Sequence, residues 1–252
     1  MVMNTLYKYY NEIKDKYPNN DIVGIFLFGS QNYNLNTETS DIDAIAIITP
    51  SWKNVVYTER PISTTIFTDE GSIKVMDVRL ALRDMIKPTI FSIEALYTQH
   101  KLINDKYLPF WSKLEKSRNL IANGDIDNMT TSCLGVAHQV YKDGCNLYNK
   151  GEIAGAHKKL SRLVFINHFL CEYLKGSNVE DCYWVPEAVR EEYLLVKNGT
   201  MQDLVPYSTT LLEEIEHLAK TANLHIEDPL ASSIIDDVKW NITKYALTEN
   251  PL

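Results

Sequence analysis

Apolar residues recur at helical spacing over residues 3–17, where Leu6, Tyr9, Tyr10, Ile13 and Tyr17 share a face; Asn19-Asn20-Asp21 ends the pattern. The period then changes. Ile22 to Phe28 is an unbroken apolar run rich in β-branched and aromatic residues, as a strand buried on both faces requires, and Gly29-Ser30 closes it. Residues 31–40 are polar and turn-rich. Ile42 to Ile48 predicts a second buried strand, stopped by Pro50. Ile62 to Thr68 reads as a weaker strand, Asp69-Glu70-Gly71 as a turn, and Ser72 to Val78 as a third clear strand.

After Arg79 the periodicity is helical. Helices are expected from Leu80 to Ile86, over 90–99, 107–122 and 127–149, and as one long helix over 152–175 with Gly176 at its end. Further helices are expected at 186–197, 207–222 and 229–247. The fold class is therefore α+β: a small mixed β-sheet core with flanking helices over residues 1–123, followed by an all-helical C-terminal region over 124–252. The break is placed at Gly124-Asp125.

The chain has 252 residues, with 33 Asp and Glu against 25 Lys and Arg, a net charge of −8. That balance argues against extensive nonspecific DNA binding, which rests on clustered cations. Any nucleic acid would have to be gripped locally. Cys133, Cys145, Cys171 and Cys182 form no C-x-x-C pair and match no zinc spacing, so reduced, mostly buried thiols are expected. Residues 1–20 lack the blocks of a signal peptide, and no apolar run approaches the ~20 residues of a membrane span. A cytoplasmic protein with no membrane partner is the expectation.

The chemistry concentrates around Gly29-Ser30 and Ser40-Asp41-Ile42-Asp43. Residues two apart on a strand face the same way, so Asp41 and Asp43 are expected to project together from an otherwise apolar strand. Two adjacent carboxylates repel and are costly to bury, and a divalent cation removes that cost. Mg²⁺, or Mn²⁺ in its place, takes hard oxygen ligands of this kind. Asp77, at the end of the third strand, supplies a third carboxylate, and three from neighbouring strands can hold two metals for an in-line phosphoryl displacement. Asp77 can instead be a strand-end carboxylate paired with Arg79. Gly29 lets a ligand approach the backbone, and a short helix beginning at Ser30 would aim its N–H groups at a triphosphate.

These residues resemble the hallmark of the DNA polymerase β-like nucleotidyltransferase superfamily: Gly29-Ser30, then Asp41 and Asp43, then a third acid, Asp77. Gly29-Ser30-Gln31-Asn32-Tyr33-Asn34-Leu35 and Ser40-Asp41-Ile42-Asp43 are similar to the RNA-ligase-associated branch of bacteria and phages, with Asn34 where that branch has Gly. Asn tolerates a left-handed backbone. Ser92-Ile93-Glu94-Ala95-Leu96 resembles the branch's later Glu-x-Leu, with Thr89-Ile90 in place of its Asn-Pro; Glu94 can equally be a helix-start acid. Arg162 matches the Arg of a His-x-x-Arg on the branch's long helix, with Lys159 where the His would stand. The resemblance covers residues 22–48, 72–98 and 127–175 and does not extend past 180.

It implies transfer of a nucleoside monophosphate from an NTP, ATP among them, to an acceptor hydroxyl with release of pyrophosphate. Asp41 and Asp43 would bind the metals, Asp77 would complete the one that activates the acceptor, and Gly29 and Ser30 would hold the β- and γ-phosphates. Lys158 and Arg162, four apart on one helix face, would contact the triphosphate or the acceptor, or else form a solvated face. The acceptor could be an RNA end, a protein or a small molecule. Two rival expectations are an antitoxin-type enzyme that attaches AMP to a protein partner, and a non-catalytic protein that holds a nucleotide or a partner.

Overall fold

The structure is a computed structural model that describes residues 2–222 and 228–249. In chain order its elements begin with α1 (Val2–Lys16), β1 (Ile22–Phe28), β2 (Asp43–Ile48), α2 (Trp52–Val56), β3 (Ser63–Thr68), β4 (Gly71–Asp77), α3 (Val78–Ile86), β5 (Lys101–Ile103), α4 (Leu108–Lys116) and α5 (Arg118–Ala122). They continue with α6 (Ile126–Asn149), α7 (Ile153–Leu160), α8 (Arg162–Leu174), α9 (Val179–Tyr183), α10 (Glu187–Lys197), α11 (Leu204–Thr221) and α12 (Pro229–Glu249). Two compact units emerge. The first holds described residues 2–32, 37–125 and 228–249, and the second holds 33–36 and 126–222. This is the α+β class expected, with a mixed sheet, flanking helices and a helical C-terminal region.

In the first unit the sheet order is β3-β4-β2-β1-β5. β1 runs antiparallel to β2 and β5, β3 antiparallel to β4, and β2 parallel to β4. One face of the sheet presents Ile25, Leu27, Ala44, Ala46, Ile48, Ile73 and Val75, and Leu6, Tyr9 and Ile13 of α1 complete that core. Ala44 and Ala46 lie two apart on β2 and so share this face, in the same core as Tyr9. Phe26 packs against Trp111 of α4 at 4.4 Å between centroids, the two rings tilted by 32°. α12 packs on α3 and α4. There Lys113 and Asp237 form an ion pair of 2.6 Å, and the Tyr107 ring meets Tyr245 edge-on. Gly124 makes this return possible: a Cβ there would stand 2.8 Å from that of Ala231.

The turn between β3 and β4 is pressed against the entry to β2. A Cβ on Gly71 would fall 2.3 Å from the Ile42 carbonyl oxygen, so only glycine lets the two backbones approach. The Ile42 amide donates to the Glu70 carbonyl at 2.8 Å, and the Tyr9 hydroxyl donates to the Ile42 carbonyl at 2.8 Å.

The second unit is a set of packed helices with α8 deeply buried: Leu163, Val164, Phe165, Ile166, Phe169 and Leu170 are all inside. The continuous helix expected over 152–175 is broken at Ser161, whose hydroxyl donates back to the Lys158 carbonyl at 3.1 Å. Back-bonding of this kind bends helices. Gly144 of α6 receives Leu160 of α7, whose Cγ stands 2.4 Å from where a Cβ would be. The helix expected over 107–122 also divides, at Ser117. The stretch 90–99 forms only a single 3₁₀ turn, Glu94–Leu96, and the short β5 that follows had no clear signature in the sequence.

Candidate active site at the β1–β2 edge

β1 ends and β2 begins at the same edge of the sheet, because Phe28 is the cross-strand partner of Asp43. Gly29 follows with φ +84°, and its amide closes no helix. In place of the expected short helix the chain makes a turn, with the Asn32 amide donating to the Gly29 carbonyl at 2.9 Å. No helix dipole therefore points at an anion here.

The turn is held by Glu94, for which the sequence left two roles open, and by Asn32 and Thr98, to which it assigned none. Glu94, 1 % exposed, accepts from the Gly29 amide and from Asn32 Nδ2 through one oxygen, Oε1, both at 2.7 Å. Asn32 Nδ2 also donates to the Leu27 carbonyl, and Thr98 Oγ1 donates to Asn32 Oδ1 at 2.8 Å. The Gly29 N–H is thus already engaged, and Ser30 and the backbone beyond it carry what donor capacity the turn can offer a phosphate. Glu94 is more than a helix-start acid. A charged residue inside the apolar run Ile93 to Leu96 was the available signal, since buried acids are almost always partnered.

Asp41 and Asp43 are delivered by a second small turn. The Thr37 amide donates to Ser40 Oγ, and the Ser40 amide donates back to the Thr37 carbonyl. Asp41 is exposed and Asp43 half-buried. β2 begins at Asp43, so Asp41 lies just ahead of the ladder. Asp43 Oδ1 accepts from the Ser72 amide at 3.0 Å and from the Ser72 hydroxyl at 2.6 Å. Its other oxygen, Oδ2, faces the Gly29 turn, 3.8 Å from where a Gly29 Cβ would stand. Nearby, burial raises the pKa of Tyr9, with Glu70 and Asp43 adding to the effect against a hydrogen bond shared with Thr68, so its hydroxyl keeps its proton.

Asp77 is not brought to this edge. The parallel register pairs Asp77 with Ile48, the last residue of β2, whereas Asp43 is the first. Five residues of strand separate it from Ser72, or about 16 Å. It caps α3, accepting from the Arg79 amide (2.8 Å) and Nε (2.9 Å) through Oδ1 and from Arg79 NH2 (2.7 Å) through Oδ2. The contacts of Asp77 are those of a strand-end carboxylate paired with Arg79. The β4 position nearest Asp43 is Ser72, which is not a carboxylate. Among the described residues no group of three or more His, Cys, Asp or Glu could hold a metal ion.

Lys158 and Arg162 belong to the second unit, both exposed, on α7 and α8 across the Ser161 break. Lys159 pairs with Asp143 at 2.9 Å, and the neighbouring His157 is buried with Nδ1 2.6 Å from the Val196 carbonyl. Asn34 takes the left-handed conformation expected of it, with φ +61°, and its side chain donates to the Val185 carbonyl within that unit.

Two carboxylates, Asp41 and Asp43, lie at or just ahead of the start of β2, the number that one Mg²⁺ takes beside waters and substrate phosphates. They do not make up a three-carboxylate, two-ion centre. No helix of the described residues is long and apolar enough to cross a membrane. No curated protein matches the chain. Among solved structures, a nucleotidyltransferase-like protein from Exiguobacterium sibiricum 255-15 aligns at 15% identity over 88% of this chain and 75% of its own, with a TM-score of 0.31. Residues 6–105, from within α1 to just past β5, match the model of the nucleotidyltransferase domain family, and it is this domain that the sheet-bearing part of the chain is similar to.

Proposed function

We propose that the chain is a nucleotidyltransferase that moves a nucleoside monophosphate from an NTP to an acceptor hydroxyl and releases pyrophosphate. The observation that carries this reading is the meeting of the Gly29-Ser30 turn with Asp43 at one sheet edge, inside the segment similar to the nucleotidyltransferase domain. Asp43, through Oδ2, and Asp41 would hold Mg²⁺. Bound there, the cation would supply charge neutralisation for the triphosphate. Glu94 and Asn32 hold the turn that receives the phosphates, so the turn need not reorganise when substrate arrives. Asp77 takes no proton from the acceptor, because Arg79 occupies both its oxygens. The RNA-ligase-associated branch remains our assignment for the chain, with an RNA end as the first acceptor to try and protein or small molecules after it. In the protein-acceptor case the chain would act as an AMP-attaching enzyme.

A second reading has one observation behind it. With Ser72 rather than an acid beside Asp43, the edge can hold a Mg²⁺-nucleotide without turning it over. One experiment separates the two. Wild type and Asp41→Asn/Asp43→Asn protein are incubated with each α-labelled NTP and Mg²⁺ or Mn²⁺, without acceptor, with total RNA, or with lysate. Label on a product with wild type alone supports the transferase and names its acceptor class. Nucleotide binding with no label anywhere supports the binding protein, and binding unchanged in the double variant removes the site itself.

A further inference from the structure

Ser72 does more at this edge than fill a rung. The parallel register Ala44↔Ile73 places it beside Asp43, and both of its donors converge on a single oxygen, Oδ1. An oxygen that accepts an N–H and an O–H at 3.0 and 2.6 Å has its lone pairs engaged. The carboxylate plane is then fixed, and Oδ2 is the atom presented toward the Gly29 turn. Asp43 consequently offers one oxygen, to one cation. A second cation sharing Asp43 would need either Oδ1 or a further carboxylate on the neighbouring strand to bind beside it. Oδ1 is taken, the strand offers Ser72, and Asp77 is some five residues away and bound to Arg79.

We propose that Ser72 is a positioning residue that makes this a one-cation site, so that a single divalent ion, coordinated by Asp41 and Asp43 and shared with the nucleotide phosphates, serves the chain. This rests on the nucleotide-binding reading of the edge and deepens it. The chemistry explains the choice of residue: a serine contributes a hydroxyl donor that locks its neighbour, whereas an aspartate in the same place would repel Asp43 and add the carboxylate with which a second ion could bind and relieve the repulsion.

The test is Mn²⁺ stoichiometry by electron paramagnetic resonance, with a non-hydrolysable NTP analogue and the full-length chain. Wild type is expected to bind one Mn²⁺ per chain in the ternary complex, and Ser72→Asp two. Ser72→Ala should keep one ion with roughly 10-fold weaker affinity, at a melting temperature within a few degrees of wild type; Ser72→Thr, which retains the hydroxyl, should restore affinity. Two ions in wild type would overturn the inference and leave the nucleotide-binding reading standing. One ion in Ser72→Asp would overturn the role given to Ser72. No ion in wild type would overturn both. Affinity unchanged in Ser72→Ala would show that the serine positions nothing.

Discussion

Glu94 Oε1 and the Gly29 amide lie 2.7 Å apart although 65 residues separate them in the chain, and the same oxygen takes a second hydrogen bond from Asn32. The turn between the first strand and the carboxylates is thus fastened from below by a buried acid. Glu94→Ala would leave two partly buried donors without that acceptor and should cost about 2 kcal/mol or more. Glu94→Gln keeps a carbonyl oxygen in place and should cost less than half as much. Urea unfolding of the three proteins measures both, and equal losses for the two variants would remove the hydrogen-bonding explanation.

Asp77 and Asp43 make opposite predictions. Asp77→Asn breaks a two-pronged pair with Arg79 and weakens the cap of α3, so it should destabilise by about 1–3 kcal/mol and leave Mn²⁺-nucleotide affinity within a factor of about two. Asp43→Asn should do the reverse, with affinity lost and stability nearly kept. Calorimetric melting beside nucleotide titration reads both. Loss of cation binding in Asp77→Asn at wild-type stability would return Asp77 to the site.

Gly144→Ala introduces a methyl group where Leu160 Cγ would stand only 2.4 Å away. The gain in helix propensity, about 1 kcal/mol, is smaller than the strain of separating α6 from α7. A net loss of about 1–2 kcal/mol, or roughly 3–6 °C in melting temperature, is expected. A variant that melts above wild type would mean that α7 can move aside.

His168 on α8 is held below the ordinary imidazole pKa of 6.5, mainly by burial, against an opposing pull from Glu172. Its Nε2 is buried with no hydrogen-bond partner among the described residues. The folded state therefore resists a proton that the unfolded chain accepts. Stability from this residue is present above about pH 6.5 and is lost as pH falls from there toward the lower folded value. Urea midpoints at pH 7.5 and 5.5 should converge in His168→Gln by comparison with wild type. An identical pH dependence in the two proteins would assign it elsewhere.

Burial pushes the thiols of Cys133 and Cys182 up to about 12. In the native chain at pH 8 neither should react with iodoacetamide over a time in which a small free thiol is fully alkylated. Peptide mapping by mass spectrometry reads each site, and native labelling of Cys133 at the unfolded rate would contradict its burial.

The sequence showed what periodicity carries. The buried strands Ile22–Phe28 and Asp43–Ile48, α1, and the long helices α6 and α12 were legible within a few residues, because each is a sustained pattern bounded by breakers. Gly29, Ser30, Asp41 and Asp43 were legible as a group because they lie within one strand-turn-strand unit. What failed depended on register. Nothing local says that β2 and β4 pair in parallel with Asp43 beside Ser72, so Asp77, at the far end of β4, looked like a partner that the sheet does not make it. Ser161 looked helical because the apolar stripe continues through it, and only the buried hydroxyl bonding back to Lys158 reveals the break. β5 is three residues long and half-exposed, too short for any alternation to register.

The backbone of Ile42, between the two carboxylates, is held by partners from both directions along the chain: the Tyr9 hydroxyl upstream and the Glu70 carbonyl downstream. During synthesis, a nascent chain that ends before Gly71 owns every residue of the Gly29–Asp43 motif and still lacks the hairpin that seats it. If the edge takes a nucleotide as proposed, the motif is seated for it only after β4 has left the ribosome and paired, and Glu94 must follow before the turn is locked. A ligand added to stalled chains of increasing length would report that moment, as affinity that appears in steps tied to two late contacts rather than to the motif itself.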